Sequence, residues 1–534
     1  MLGVITEAVF QSWLPIAFIF AYLIYWYSTC TFNYWKEKGI PYIKPTPGFG
    51  NTRKMFFKTS FAEQFKIFYD AFDGKPFCGV FQFRSPILVI RDPDIIRLVM
   101  VKDFPYFQDR RVSFNEKKEP LSAHLLNMRG SQWRRLRAKL TPTFTSGKMK
   151  MMFNLMNECA EELRSFLAGP ASRNEDLEIK EIMAKFTTDI IGSCVFGLKC
   201  NSLKDPDSEF RNMGRKVVEP SLSNVVRRLL GLLVPKLGIR VLPWEVTQFF
   251  ISAVRETIKY REQHNIVRND FMQQLIQLKN QGHIQEDDEV NKENMKKEFS
   301  TNNTTLPAKN GVNITENIVF TDSRLASQAF IFFLAGFETS STTLSFCLYE
   351  LAVNPDIQTK LREEIDATLG KMGGQITYDG VQSMKYLGQV IDETLRKHPP
   401  ASNITRIVTQ PYTIPDTSAK LEKGIRVVIP VYAIHHDPRY YPEPGRFDPE
   451  RFSDEAKSSR PHFTYLPFGE GPRNCIGMRF GLLQTKIGLT VLLSNFEFSV
   501  CEMTKQPLEL DPKSFITSAK GGIWLKISER STPK

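Results

Sequence analysis

Polar residues disappear from the chain almost as soon as it begins. Residues 8–27 carry no charge, and positions 13–27 are nearly all apolar. A helix of about 20 such residues spans a bilayer core of roughly 30 Å. Trp13, Tyr25, Trp26 and Tyr27 suit the interfacial belts of a bilayer. A cleaved signal peptide would begin with basic residues and end on small ones. Here the early charge is Glu7, and the segment leaves through Tyr25, Trp26 and Tyr27. The pattern predicts a membrane anchor over residues 1–34. Lys36 and Lys38 follow it, so positive-inside bias places the remainder in the cytosol. Gly39-Ile40-Pro41 and the run from Pro45 to Gly50 predict a stiff, bent spacer over 35–60.

Behind the spacer the period changes. Residues 77–83 and 87–90 read as strands around Ser85-Pro86. Asp92-Pro93 opens a helix, with Asp as cap and Pro at the first position. Residues 130–277 are mostly of helical period. Residues 280–317 are polar and rich in Asn, Glu, Lys and Thr, which predicts a disordered surface loop. The N-x-T sequons at Asn302, Asn303 and Asn313 fall within it and stay unmodified in a cytosolic domain. Helical patterns resume over 321–353, 355–369 and 383–398, where Pro399-Pro400 ends the last. Residues 426–429 look like a strand, 440–461 like a Pro- and Arg-rich coil, and 476–493 like a helix before C-terminal strands. The expected fold is mainly α with a smaller β portion (α+β). It forms one large domain over 61–534, behind an N-terminal transmembrane helix.

Composition narrows the function classes. Hydrophobic residues make up 42% and charged residues 24% of the 534, a globular composition. The 70 basic and 58 acidic residues give a formal charge of +12. That excess suits an acidic protein partner or an anionic membrane. It is spread along the chain, with no zinc-finger spacing or basic-helix motif, so no nucleic-acid partner is expected. The eight cysteines form no C-x-x-C pair and no disulfide pattern. Most read as small buried hydrophobes. Cys475 does not.

Residues 468–477 run Phe-Gly-Glu-Gly-Pro-Arg-Asn-Cys-Ile-Gly. A helix follows Cys475, and a helix N-terminus favours a thiolate. Gly469 and Gly471 let the backbone turn close to a flat object, and Gly477 lets the new helix approach. Arg473 supplies a cation for a carboxylate. This stretch resembles the haem-binding signature of the cytochrome P-450 family, Phe-x-x-Gly-x-Arg-x-Cys-x-Gly, at every fixed position. The resemblance implies a haem cofactor, iron protoporphyrin IX, with Cys475 as axial thiolate ligand and Phe468, Gly469 and Gly477 in its seat.

Other stretches carry the same resemblance. Glu393 and Arg396 match the family's E-x-x-R element, and Arg451 its third member, a structural charge network. Ala335, Gly336, Glu338 and Thr339 match the oxygen-activation motif. There Ala335 and Gly336 leave room for O2, Thr339 relays protons, and Glu338 is a connected acid. Trp133 and Arg137 resemble the pair that holds a haem propionate, with Arg406 and Arg473 as further propionate cations. The run that follows Cys475 is similar to that of insect xenobiotic-metabolising members, and the anchor to microsomal ones.

The resemblance implies monooxygenation of a lipophilic small molecule at the cytosolic face of the endoplasmic reticulum membrane. No G-x-G-x-x-G follows a strand, so electrons must come from a partner. In the family that is an NADPH-dependent flavoprotein reductase, with a cytochrome b-type donor as a second source. Arg134, Lys139 and Lys148 are candidates for meeting its acidic face. Phe104, Phe107 and Phe114 either line the substrate chamber or pack in the core. Two other readings stay open at this stage, a haem-thiolate isomerase or dehydratase and a non-catalytic haem- or ligand-binding protein. The intact Ala335, Gly336 and Thr339 speak against the first, and the full motif set against the second.

Overall fold

The computed structural model describes residues 2–110, 115–205, 207–218, 227, 240, 242–284 and 320–530. Phe114 and residues 285–317, with the three sequons, lie outside the described residues.

The N-terminal helix spans Leu2–Thr29. From Ile16 to Tyr27 its large apolar side chains are at least half exposed, and at its end the Arg84 guanidinium lies 4.0 Å over the Tyr27 ring. The chain then turns into the short helix Tyr34–Glu37, whose Trp35 is fully buried. The Trp35 indole N–H donates to the Val80 carbonyl at 3.1 Å. Gly79 makes room for the ring, because a Cβ there would lie 2.5 Å from it. The spacer does not stand free of the body. The Gly79 N–H donates to the Pro41 carbonyl at 2.8 Å and the Ile43 N–H to Gly79 at 3.1 Å, which lays the segment along the first strand.

The strands are β1 (Phe77–Gln82), β2 (Ser85–Ile90), β3 (Asp176–Glu178), β4 (Ile404–Ile407), β5 (Tyr412–Thr413), β6 (Lys420–Leu421), β7 (Arg426–Ile429), β8 (Phe496–Ser499) and β9 (Trp524–Glu529). The larger sheet has the order β1-β2-β7-β4, with β2 and β7 parallel and the other neighbours antiparallel. Its register sets Leu88 opposite Val427, and Val427 opposite Arg406. A second sheet runs β3-β9-β8, and β5 pairs with β6. Asp92 caps the helix Pro93–Arg97 as expected, accepting from the N–H groups of Asp94 and Ile95.

Helices dominate the rest, as the periodicity predicts. The central one, Asp322–Val353, is capped by the Thr321 hydroxyl. It packs against Ile179–Ile191, Trp244–His264, Lys385–Lys397 and Met478–Asn495. Among the described residues it is the one helix long and apolar enough to cross a membrane, but 67% of that apolar window is buried. It is the spine of the core. The helix Phe271–Gln281 overruns the expected loop start at Asn280, because Gly282 at φ +75° supplies a left-handed cap one residue further on. One hydrophobic cluster surrounds the central helix and another backs the larger sheet. Cys475, on the loop before Met478–Asn495, lies deep within the body.

Candidate functional site

The Cys475 loop is built by tight turns. Gly469 and Gly471 have φ of +68° and +72°, where a side chain is strained. A Cβ on Gly471 would also run into the Met100 carbonyl. The Cys475 N–H donates to the Phe468 carbonyl at 2.8 Å and closes the loop. The helix starts at Met478, two residues later than expected, with Gly477 as its cap. Gly477 has an ordinary φ of −92°, and a Cβ there would meet Phe144 at 3.9 Å. Helix approach therefore does not require this glycine.

Cys475 keeps accessible surface. Yet burial pushes its thiol above the usual range, opposed by the Gly477 N–H and the guanidiniums of Arg110 and Arg137. The sulfur thus sits among protein groups dense enough to push the thiol up while the residue keeps accessible surface. The Gly477 N–H at the start of the helix favours the thiolate, and burial opposes it. A cation bound to the sulfur would favour the thiolate too.

Four arginines gather beside it. Arg473 is 1% exposed and lies 4.7 Å over the Trp133 ring. It donates to the carbonyls of Met128 at 2.5 Å, Leu126 at 3.2 Å and Gln108. Arg110 donates to the Arg473 carbonyl at 2.5 Å. Arg137 is committed to Asn474, donating to its backbone carbonyl at 2.8 Å and its side-chain oxygen at 2.6 Å. Arg406, on β4, is also 1% exposed and donates to the Thr405 carbonyl at 3.1 Å. Its Nε and one Nη are buried without a hydrogen-bond partner among the described residues. Burial and mutual repulsion bring Arg473 down to about 9. The same two causes bring Arg137 down to about 10 and Arg406 well below its ordinary value. Among the described residues Asp109, 3.7 Å from Arg473, is the one carboxylate paired with the group. Four guanidiniums against one acid make a site that calls for an anion.

A buried network braces the loop from behind. Glu393 and Arg396 are fully buried and pair through two bonds of 2.7 and 2.8 Å. Arg451 stands 3.5 Å from Glu393 and donates to the Glu443 carbonyl at 3.1 Å, so it joins as a charge more than as a hydrogen-bond donor. Arg396 also donates to the His435 carbonyl at 3.0 Å. The His435 Nδ1 lies 3.1 Å from the Arg396 carbonyl, so that nitrogen carries the proton. Its Nε2 accepts from the Leu466 N–H at 2.9 Å, and Leu466 leads into the Cys475 loop. Burial, then the Arg396 charge, push His435 down to about 3, which keeps it neutral.

The central helix supplies another wall. Ala335 is exposed in a helix otherwise largely buried, and Thr339, one turn on, is partly so. The Thr339 hydroxyl donates to the Ala335 carbonyl at 2.6 Å. Ala335 and Thr339 share a helix face, and that face opens on the interior. Gly336 does not provide this room, since a Cβ there would meet Ile191 at 2.5 Å. Glu338 pairs with Lys180 at 3.0 Å, and Lys180 also donates to Ser341 at 2.6 Å and Thr342 at 2.9 Å. Glu338 is thus held by a cation and not free as an acid.

Some expectations move. Phe104 and Phe107 are core residues, 2% and 0% exposed, packed on Trp133 at 5.6 Å and Tyr412 at 4.8 Å. Lys148 is 9% exposed, and Lys139 donates to the Gly282 carbonyl, so neither offers a free surface charge. Arg110 and His435 had no local signal. Each acts on a partner far along the chain, 363 and 31 residues away.

Residues 41–525 match the family described as cytochrome P450. Among curated relatives, "Probable cytochrome P450 6a14" of Drosophila melanogaster is 45% identical over 93% of this chain and 95% of its own. "Cytochrome P450 6a8" of the same organism is 41% identical over 98% and 99%. "Cytochrome P450 6A1" of Musca domestica is 39% identical over 96% of each chain.

Proposed function

This chain belongs to the cytochrome P450 family and is a haem-thiolate monooxygenase, and on that footing we propose that Cys475 is the ligand and that the substrate is a lipophilic small molecule. The observation that carries the site is a sulfur that keeps accessible surface beside four guanidiniums that share one carboxylate, two donors of Arg406 being unmet among the described residues. A porphyrin with two carboxylates answers both needs. Cys475 would hold its iron, and the unmet donors of Arg406, together with Arg473 and Arg110, would hold its carboxylates. Trp133 acts by holding the Arg473 plane, and Arg137 by fixing Asn474 next to the ligand.

Bound haem supplies the oxygen activation, and the overall reaction is RH + O2 + two electrons + two protons to ROH and water. The chain does the rest. Gly469 and Gly471 shape the loop that aims the sulfur. The Gly477 N–H, which lowers the thiol, is a donor to the bound thiolate. Ala335 gives O2 room, and Thr339 holds a proton or a water at its hydroxyl. Glu338 works through its pair with Lys180, by holding the helix turn in place. A chamber fronted by Ala335 suits an apolar guest.

Electrons come from an NADPH-dependent flavoprotein reductase, with a cytochrome b-type donor as a second source. Arg134, on the Trp133 helix, is the remaining candidate for the docking face, and charge reversal there should slow reduction. The exposed apolar side chains of Ile16–Tyr27 support a single span, residues 1–34, in the endoplasmic reticulum membrane, with the body in the cytosol. The likeness to insect relatives supports a xenobiotic substrate.

The test is the absorbance of the reduced, CO-bound protein, wild type and Cys475→His. A thiolate-type Soret band that C475H converts to the histidine type is expected. The same band in both, or no haem in the wild type, refutes the assignment. Turnover of an organic peroxide without NADPH or reductase, in place of monooxygenation, refutes the reaction.

A further inference from the structure

Gln484 lies on the helix that leaves the Cys475 loop, and its side chain is fully buried. Gly481 and Gly488, three residues before it and four after, share its helix face. A Cβ at Gly488 would lie 2.9 Å from Phe186 and 3.3 Å from Leu344, and one at Gly481 would meet the Ser340 hydroxyl at 3.9 Å. Gly488 thus lets this helix lie close against the central helix at Leu344, while Gly481 stands in ordinary contact with Ser340. Into that seam Gln484 puts an amide. Its Nε2 donates to the Gly336 carbonyl at 3.2 Å and to the Ser340 hydroxyl oxygen.

Those two partners are one turn apart and enclose Thr339. The neighbouring carbonyl, that of Ala335, takes the Thr339 hydroxyl at 2.6 Å. Two successive carbonyls are therefore held by side chains, one from within the helix and one from the helix that begins at the cysteine loop. The amide also carries a cost. Its Oε1 is buried and has no hydrogen-bond partner among the described residues. A buried acceptor left in that state costs stability, and a leucine of similar volume would fill the seam without the cost.

We propose that Gln484 is a positioning residue: its amide ties the Gly336–Ser340 turn to the helix of the thiolate loop and so fixes where Thr339 stands over the chamber. This rests on the reading of Thr339 as the proton-holding hydroxyl. A misplacement of about 1 Å at such a group costs a large factor in rate. When the turn is released, reducing equivalents are lost to hydrogen peroxide and less product forms.

The test compares full-length, haem-loaded wild type with Gln484→Leu, Ser340→Ala and Thr339→Ala, supplied with NADPH and reductase. The probe is a lipophilic alkoxycoumarin. Product and peroxide per NADPH, the C–O stretch of the reduced CO complex, hydrogen exchange of amides 335–340 and the denaturation midpoint are measured. For Q484L the midpoint should hold or rise. Product per NADPH should fall roughly fivefold, the factor one neutral hydrogen bond is worth. The C–O band should broaden and amide exchange quicken. S340A should move the same readings by less, and it keeps the test alive if Q484L folds poorly. A lower midpoint with C–O band, exchange and product ratio unchanged would make Gln484 merely structural and overturn the proposal. If T339A uncouples the enzyme while Q484L and S340A do not, the clamp fails alone. If T339A is also inert, the relay reading falls and takes the clamp with it.

Discussion

Replacing Arg406 by Met should have opposite effects on the haem-loaded and haem-free protein. Arg406 is 1% exposed, its Nε and one Nη have no hydrogen-bond partner among the described residues, and the nearby charges of Arg110 and Arg473 repel it. Without an anion it is a buried, uncompensated charge. Exchanging a buried ion for a well-packed apolar residue commonly stabilises by about 1–4 kcal/mol, and Met matches the length of the Arg stem. The haem-free R406M protein should therefore unfold at higher urea than haem-free wild type. With haem bound, a guanidinium on a propionate contributes about 1.5–3 kcal/mol as a charge-assisted hydrogen bond. R406M should then release haem to excess apomyoglobin roughly 10- to 100-fold faster, with the thiolate spectrum intact until release. R406K keeps the charge without the planar fork and should fall between. Unchanged haem release in R406M, or a haem-free R406M less stable than wild type, would show that the guanidinium is satisfied by protein groups.

Glu393→Gln leaves Arg396 buried beside a neutral amide, so the recovered CO-binding fraction should drop and stability should fall by about 3–5 kcal/mol in urea titrations. His435 is pushed down to about 3 while the unfolded chain titrates near 6.5, so between these values the unfolded state binds the extra proton. Stability from this group is therefore complete above about pH 6.5 and is lost as pH falls towards 3, by about 1.4 kcal/mol per unit; His435→Gln should flatten the urea midpoint between pH 6.5 and 4.5 by that one-proton slope. Thr339→Ala should bind CO normally yet form product roughly 100-fold more slowly, the lower end of what a positioned proton donor contributes; normal product formation would remove Thr339 from the mechanism.

What was legible in the sequence is what lies close together in it. The Cys475 loop declares itself through Gly469, Gly471 and Arg473, all within a few residues of the sulfur, and the positive φ of both glycines gives the reason. Glu393 and Arg396 are three apart on one helix, and they pair there. The helices were visible because period 3.6 is a local property. What failed depends on direction and on distant partners. A Phe count cannot say that Phe107 faces Tyr412 and not the chamber. Gly336 sits inside an oxygen-activation motif, but its missing Cβ is filled by Ile191 from another helix. Lys148 is basic on paper and 9% exposed in the fold. Arg110 matters only because Arg473, 363 residues on, passes beside it.

Several places where this chain gives up stability lie close together. Buried polar groups occur throughout the core, but one set of them surrounds Cys475. Burial and neighbouring guanidiniums depress Arg137, Arg406 and Arg473 there, where a stable core would hold aliphatic side chains. Two glycines hold a left-handed loop in front of a thiol that burial pushes up. A helix buried on nearly all sides leaves Ala335 uncovered, and the helix beside it carries an amide with an unmet acceptor. Each feature costs free energy in the protein alone, and local departures from stability of this kind mark function. The charged ones are offset by one object, a flat dianion with a central cation. The others make sense only once something is held against Ala335 and Thr339. The costs that haem binding offsets therefore mark the cofactor seat. The cost that it leaves standing, the unmet oxygen of Gln484, marks the part of the wall that is set for the reaction.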